Sequence, residues 1–217
     1  MDKTVPAFAA KLLDFIGSIE APAGYDTVYS NAQKRVASLK ARPITKRTVA
    51  EWIADGKRGQ ASSAAGRYQF MRDTLKSLQK ELGLRDQQVM DADLQDRLGY
   101  HLLRRRGYDL FMAGKLSVEG FGLNLAKEWA SFPVLAAVQG AHLPLKRGQS
   151  YYAGDKLNRA LVQPAAIEAL LRSKDAPRVV APPPPPPPDV PAPEPCQPAS
   201  AGFFMRLLRA LFLGKVS

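Results

Sequence analysis

The stretch FIGSIEAPAGYD, Phe15 to Asp26, sets the terms for the whole chain. Phe8, Leu12, Phe15, Ile16 and Ile19 recur at spacings of three and four, which places them on one helix face. The run ends on Glu20 and opens into Ala, Pro and Gly. A carboxylate there faces the negative end of the helix dipole, an unfavourable place for it. It is either a solvated acid at a helix end or an acid held for chemistry.

The same helical period continues outward. Thr48 to Ala54 reads as a short helix, with Thr48 as N-cap and Glu51 at the capping-box position. Tyr68 to Leu82 reads as a longer helix stopped at Gly83. Leu94–Arg105, Val118–Trp129 and Pro164–Arg172 are further helices. Strand-like sequence is scarce. Tyr25 to Tyr29, with Thr27 and Val28, is the best candidate for part of a small sheet. The fold class expected is α+β, predominantly helical.

Composition bounds the rest. The chain has 217 residues, 46% of them hydrophobic and 24% charged, values that suit a soluble globular core. One Cys, Cys196, cannot form an internal disulfide, and with two distant His it makes no zinc-ligand set. No metal or cofactor is expected. The net charge of +11 calls for an anionic partner: nucleic acid, anionic lipid or an acidic polymer such as a cell wall. No base-reading motif supports nucleic acid. The opening MDKTVPAFAAKLLDFIG lacks the pattern of a secretory signal, since Asp2 stands where a basic region belongs and Lys11 and Asp14 interrupt the apolar run. No apolar stretch is long enough for an ordinary spanning helix.

Proline sets the boundary. Twelve of the 18 Pro lie between Pro177 and Pro198. Such a segment favours extended polyproline II and would reach on the order of 70 Å. The expected organisation is a folded domain over 1–175, a proline-rich spacer over 176–200 and a basic amphipathic helix over 201–217. In that last stretch Arg206 and Arg209 share a face, while Phe204, Leu207, Leu208, Leu211 and Phe212 cover much of the rest. Phe203–Val216 thus suits a membrane interface; the alternative is a helix that docks on protein.

Three stretches carry more than composition: SIEAPAGYD (Ser18–Asp26), SSAAGRYQFM (Ser62–Met71) and AKEWASFP (Ala126–Pro133). In this order they resemble the lambda phage lysozyme family of phage endolysins, over about Phe8 to Arg172. The resemblance implies a lysozyme-like, two-lobed fold with a small sheet beside an active-site cleft. It implies peptidoglycan as substrate, cleavage between N-acetylmuramic acid and N-acetylglucosamine, and lytic transglycosylase chemistry ending in a 1,6-anhydro sugar. It further implies Glu20 as the catalytic acid. Without a signal, such a protein would accumulate in the cytoplasm, leave through a holin-type pore and act on the wall in the periplasm. A monomer is expected.

The residues fit that chemistry. A glycosidic oxygen needs a proton to leave, and a carboxylic acid among apolar neighbours can hold one near working pH. Phe15, Ile16 and Ile19 can supply those surroundings for Glu20. Hydrolysis usually needs a second carboxylate, whereas a transglycosylase can manage with one. Asp26 is either that second carboxylate or a residue that orients loop and sugar. Ser62 or Ser63 can cap a helix, and Gly66 permits close backbone approach. Tyr25, Ser63, Tyr68 and Gln69 are candidate substrate contacts. Arg67 is expected to pair with an acid in the core. Trp129 shares a helical face with Leu125 and Ala126 and reads as core. In QSYYAGD (Gln149–Asp155), Tyr151 or Tyr152 corresponds to the family's aromatic residue over the cleft.

Overall fold

The computed structural model describes residues 1–55 and 62–175. The chain divides into two units, Met1–Pro177 and Arg178–Ser217. The proline spacer and the segment Phe203–Val216 lie outside the described residues.

Helix α1 spans Ala7–Glu20 and buries Leu12, Leu13 and Ile16 against the core, with Phe15 and Ile19 packed at its edge. A 3₁₀ turn (Tyr29–Lys34), the short α2 (Ala37–Ala41) and a second 3₁₀ turn (Ile44–Lys46) lead to α3 (Val49–Asp55). The expected capping box is formed at its start. The Thr48 N–H donates to Glu51 Oε2 at 2.7 Å, and the Glu51 N–H donates to Thr48 Oγ1 at 3.3 Å. Helices α4 (Arg72–Leu82), α5 (Ala92–Arg105), α6 (Tyr108–Met112), α7 (Val118–Glu128) and α8 (Pro164–Arg172) follow. Helix α4 ends where glycine predicts, on Gly83 at φ 63°. Pro164 opens α8 at a position where its missing N–H costs nothing. Among the described residues no helix is long and apolar enough to cross a membrane.

The only two-stranded sheet among the described residues is small and antiparallel. It pairs β1 (Val138–Gln139) with β2 (Pro144–Leu145), in register Val138 to Leu145. The architecture is therefore mostly helical with a small sheet, a lysozyme-like α+β fold. Helix α1 packs on α5, and the aromatic rings of Tyr108, Phe111 and Phe121 fill the region between α6 and α7, with Phe111 stacked 4.6 Å from Phe121.

Two expectations change. Tyr25–Tyr29 forms no regular strand; Val28 alone pairs, with Ala65. Helix α4 starts at Arg72 rather than Tyr68, because the chain turns back on itself first. Ala65 pairs with Phe70, Gly66 sits at φ 82° and Gln69 at φ 50°. A side chain on Gly66 would meet Gln95 Oε1 at 2.5 Å and the Trp52 ring at 2.9 Å, so the turn requires glycine.

Candidate active site

The three sequence stretches meet. The Gly66 N–H donates to the Thr27 carbonyl at 2.7 Å, and the Tyr29 N–H donates to the Ala64 carbonyl at 2.9 Å. These bonds join the loop after Glu20 to the turn before α4. The Trp129 indole N–H donates to the Tyr68 carbonyl at 3.2 Å and ties the third stretch to the second. Trp129 is buried, as its helical position suggested. The loop after Glu20 is itself two successive turns, with the Gly24 N–H on Ala21 O and the Thr27 N–H on Gly24 O.

Glu20 is the last residue of α1 and is largely shielded from water. The Ser131 hydroxyl donates to its Oε1. Among the described residues no cation pairs with it. Burial pushes the Glu20 carboxyl above its ordinary value near 4.5, and the Ser131 hydrogen bond pulls the other way. The helix dipole acts in the same direction as burial. The result is a carboxyl biased toward keeping its proton, with one donor fixing its orientation. Ser131 is 8% exposed and lies just after α7. The Phe132 ring beside it meets Phe15 of α1 edge-on at 6.1 Å, which brings the two segments together. Ser131 was missed from the candidate residues although it lies within AKEWASFP. Its separation of 111 residues from Glu20 leaves no local signal.

Asp26 holds a loop. Its Oδ1 accepts the Thr45 N–H at 2.9 Å. Tyr25 and Tyr68 converge on one buried acid, Asp96 of α5. The Tyr68 hydroxyl donates to Asp96 Oδ1 at 2.6 Å and the Tyr25 hydroxyl at 2.9 Å. Tyr68 is 1% exposed, with its hydroxyl turned to Asp96, and it borders the cavity described below. Burial, aided by Asp96, pushes the Tyr25 hydroxyl up to about 12 and that of Tyr68 upward as well, so both stay protonated donors. Neighbouring Gln95 is fully buried too. Its Oε1 accepts the Arg67 N–H at 2.9 Å, and its amide donates to Met90 O at 3.0 Å and Tyr25 O at 3.3 Å. Gln95 and Asp96 thus anchor both loops from α5, and neither stood out in the sequence.

Ser63 has a structural role in the turn. It is 8% exposed, and its Oγ accepts the Arg72 N–H at 3.0 Å, satisfying a free donor at the start of α4. Ser63→Ala should cost about 1 kcal/mol of stability, as loss of a helix cap does, with little change in KM for cell walls. Chemical denaturation beside wall-clearing kinetics checks this; a raised KM at unchanged stability would restore the substrate role. Arg67 finds no core acid. Its guanidinium lies 5.2 Å from the Tyr25 ring centroid and 3.4 Å from the exposed Asp14.

Gln69 is partly exposed. Its amide nitrogen donates to Gly66 O at 2.7 Å. Together with Tyr152 and Lys127 it lines a cavity of about 230 Å³; Glu20 is not among the lining residues. The Tyr152 hydroxyl donates to Lys127 O at 2.7 Å, and the Tyr151 ring lies 5.4 Å from the Lys127 ammonium. A larger cavity, about 350 Å³ beside Leu82, Leu98 and His101, shares no lining residue with either place. Among the described residues no group of three His, Cys, Asp or Glu could hold a metal ion.

Fold and site together define a lysozyme-like α+β protein built around one shielded acid. The chain belongs to the endolysin family: the sequence model of that family matches residues 16–155, a span that includes Glu20, Ser131 and all three stretches. Membership makes it a peptidoglycan-degrading enzyme of phage lysis that acts on the wall after release. No curated protein and no solved structure matches the chain significantly.

Proposed function

We propose that the enzyme cleaves the β-1,4 bond between N-acetylmuramic acid and N-acetylglucosamine as a lytic transglycosylase, with Glu20 as its single acid and base. The observation that carries this reading is Glu20 itself: a desolvated carboxyl at the end of α1 whose described partner is one hydroxyl, that of Ser131. Protonated Glu20 gives its proton to the glycosidic oxygen, and the C1–O bond breaks. The Glu20 carboxylate then takes the proton from the 6-hydroxyl of the same muramic acid as that oxygen bonds to C1. The ring closes as a 1,6-anhydro sugar and Glu20 regains its proton. No water is consumed and no second carboxylate is needed. That Asp26 is engaged with the Thr45 N–H favours a loop-holding role for it over a nucleophile or base. Gln69, Tyr151 and Tyr152 are the remaining candidates for sugar contact.

Ser131 is the positioning residue in this scheme. Its donated hydrogen bond favours the carboxylate form of Glu20. Ser131→Ala should therefore raise the Glu20 pKa further and move the alkaline limb of the pH–rate profile upward by up to about one unit. The rate should fall up to about tenfold, because the carboxylate formed on proton transfer loses its donor. Ser131→Thr should restore both. An alkaline limb that stays in place, or moves to lower pH, would contradict the role of Ser131 and of Glu20 as the titrating acid.

A further inference from the structure

The segment from Thr27 to Ala50 holds six Lys or Arg and no Asp or Glu. Its cations divide into two kinds. Arg35, Arg42 and Arg47 knit the segment together, Arg35 by donating to Ser30 O at 3.1 Å. Arg42 pairs with Glu51 and donates to Lys46 O at 2.9 Å, while Arg47 pairs with Asp55 at 2.6 Å and donates to Ser38 O at 3.0 Å. Lys34, Lys40 and Lys46 are exposed, and no described acid pairs with them. Each stands in the last turn of a short helical element, and each is otherwise open to a partner from outside.

The segment is also fastened to the loop that follows the acid. Asp26 accepts the Thr45 N–H, and the Val28 N–H donates to Gln33 Oε1 at 2.9 Å. Asp26 lies six positions after Glu20, at most about 21 Å of extended chain. The two turns within them shorten that reach. The three lysines thus sit on a lip hung from the loop that follows the acid.

We propose that this lip binds the carboxylates of the peptides that branch from the glycan strand, so that Lys34, Lys40 and Lys46 select acidic, peptide-bearing peptidoglycan. The inference rests on the reading of the substrate as peptidoglycan. A muramic acid strand carries its peptides along its length. Cations on the segment tied to the loop after the acid attract those carboxylates over the ~8 Å on which charges act at physiological salt. In the peptide-bearing strand each muramic acid's lactyl carboxyl is taken up in the amide to its peptide, so the charge the lysines meet is that of the peptide carboxylates.

The test uses the full chain carrying Glu20→Gln, so that binding is read without digestion. The probe is purified insoluble peptidoglycan, either untreated or with its carboxyls amidated by carbodiimide. The expected result is several-fold greater co-sedimentation with untreated than with amidated material, and loss of that difference in K34Q/K40Q/K46Q. A control, K76Q/K80Q/K115Q, removes the same charge from other exposed lysines and should keep the difference. Equal binding to both materials, or equal loss in both triple variants, would overturn the lip. Thermal melting of the lip triple should change little, since the three lysines are exposed and no described acid pairs with them. Soluble fragments released by the Glu20→Gln parent would instead count against Glu20 as the acid, an outcome read separately from binding.

Discussion

Glu20→Gln is expected to lower the rate of wall cleavage by about 10²- to 10⁴-fold, the range supplied by a positioned general acid. The substitution is nearly isosteric, and its carbonyl oxygen can still accept from Ser131, so the site should stay folded. What it loses is the transferable proton. Stability should move the other way. Burial raises the folded-state pKa of Glu20, so the group favours the folded state below its unfolded pKa. That contribution is lost as pH rises through the folded value, where the carboxyl must ionise in a shielded place. Glutamine does not titrate. The variant should therefore melt at a higher temperature than the parent at pH 7, with the gain shrinking toward pH 4. Such an exchange of stability for function is common at active sites. Turbidity clearing and thermal melts across pH read both effects. A variant that clears walls within tenfold of the parent rate would remove Glu20 from the mechanism.

The second large effect is structural. Asp96→Ala should destabilise the fold by about 3–5 kcal/mol. Asp96 is fully buried and accepts from the Tyr25 and Tyr68 hydroxyls and from the Asp2 N–H at 2.7 Å. The Met1 ammonium lies 3.6 Å from the same carboxylate. Alanine would leave those donors facing a void. For a domain of this size the melting temperature should fall on the order of 10 °C. Activity per folded molecule should fall too, because Tyr25 belongs to the loop that follows Glu20. Asp96→Asn should be milder. It keeps an acceptor for the two tyrosines but turns an amide toward the Asp2 N–H. An alanine variant within about 1 kcal/mol of the parent would show that the two tyrosines hold these loops without Asp96.

These two residues mark what could be read in advance. Glu20 was legible because an acid at a helix end is locally anomalous, and the family resemblance gave it a role. The helices were legible where local chemistry decides them: the Thr48–Glu51 box, Gly83 after α4, Pro164 before α8. The start of α4 was not. Gln69 adopts φ 50° because Ala65 must pair with both Val28 and Phe70, a tertiary demand that overrides the helical pattern of the residues. The sheet escaped notice because strands of two residues show no alternation. Gln95 and Asp96 escaped because polar residues on an amphipathic helix normally face water; here both point inward to receive loops. Tyr68 and Ser63 stood out by motif as substrate contacts; their part in building the turn, through Asp96 and the Arg72 N–H, has no local signal.

In the proposed mechanism one shielded acid, without a second carboxylate, completes the reaction. Mass spectrometry of the soluble muropeptides released from purified peptidoglycan tests it most directly. The expected products are 1,6-anhydro muropeptides, each lighter by one water than its hydrated counterpart. Hydrated products alone would contradict it, and would return Asp26 to the chemistry.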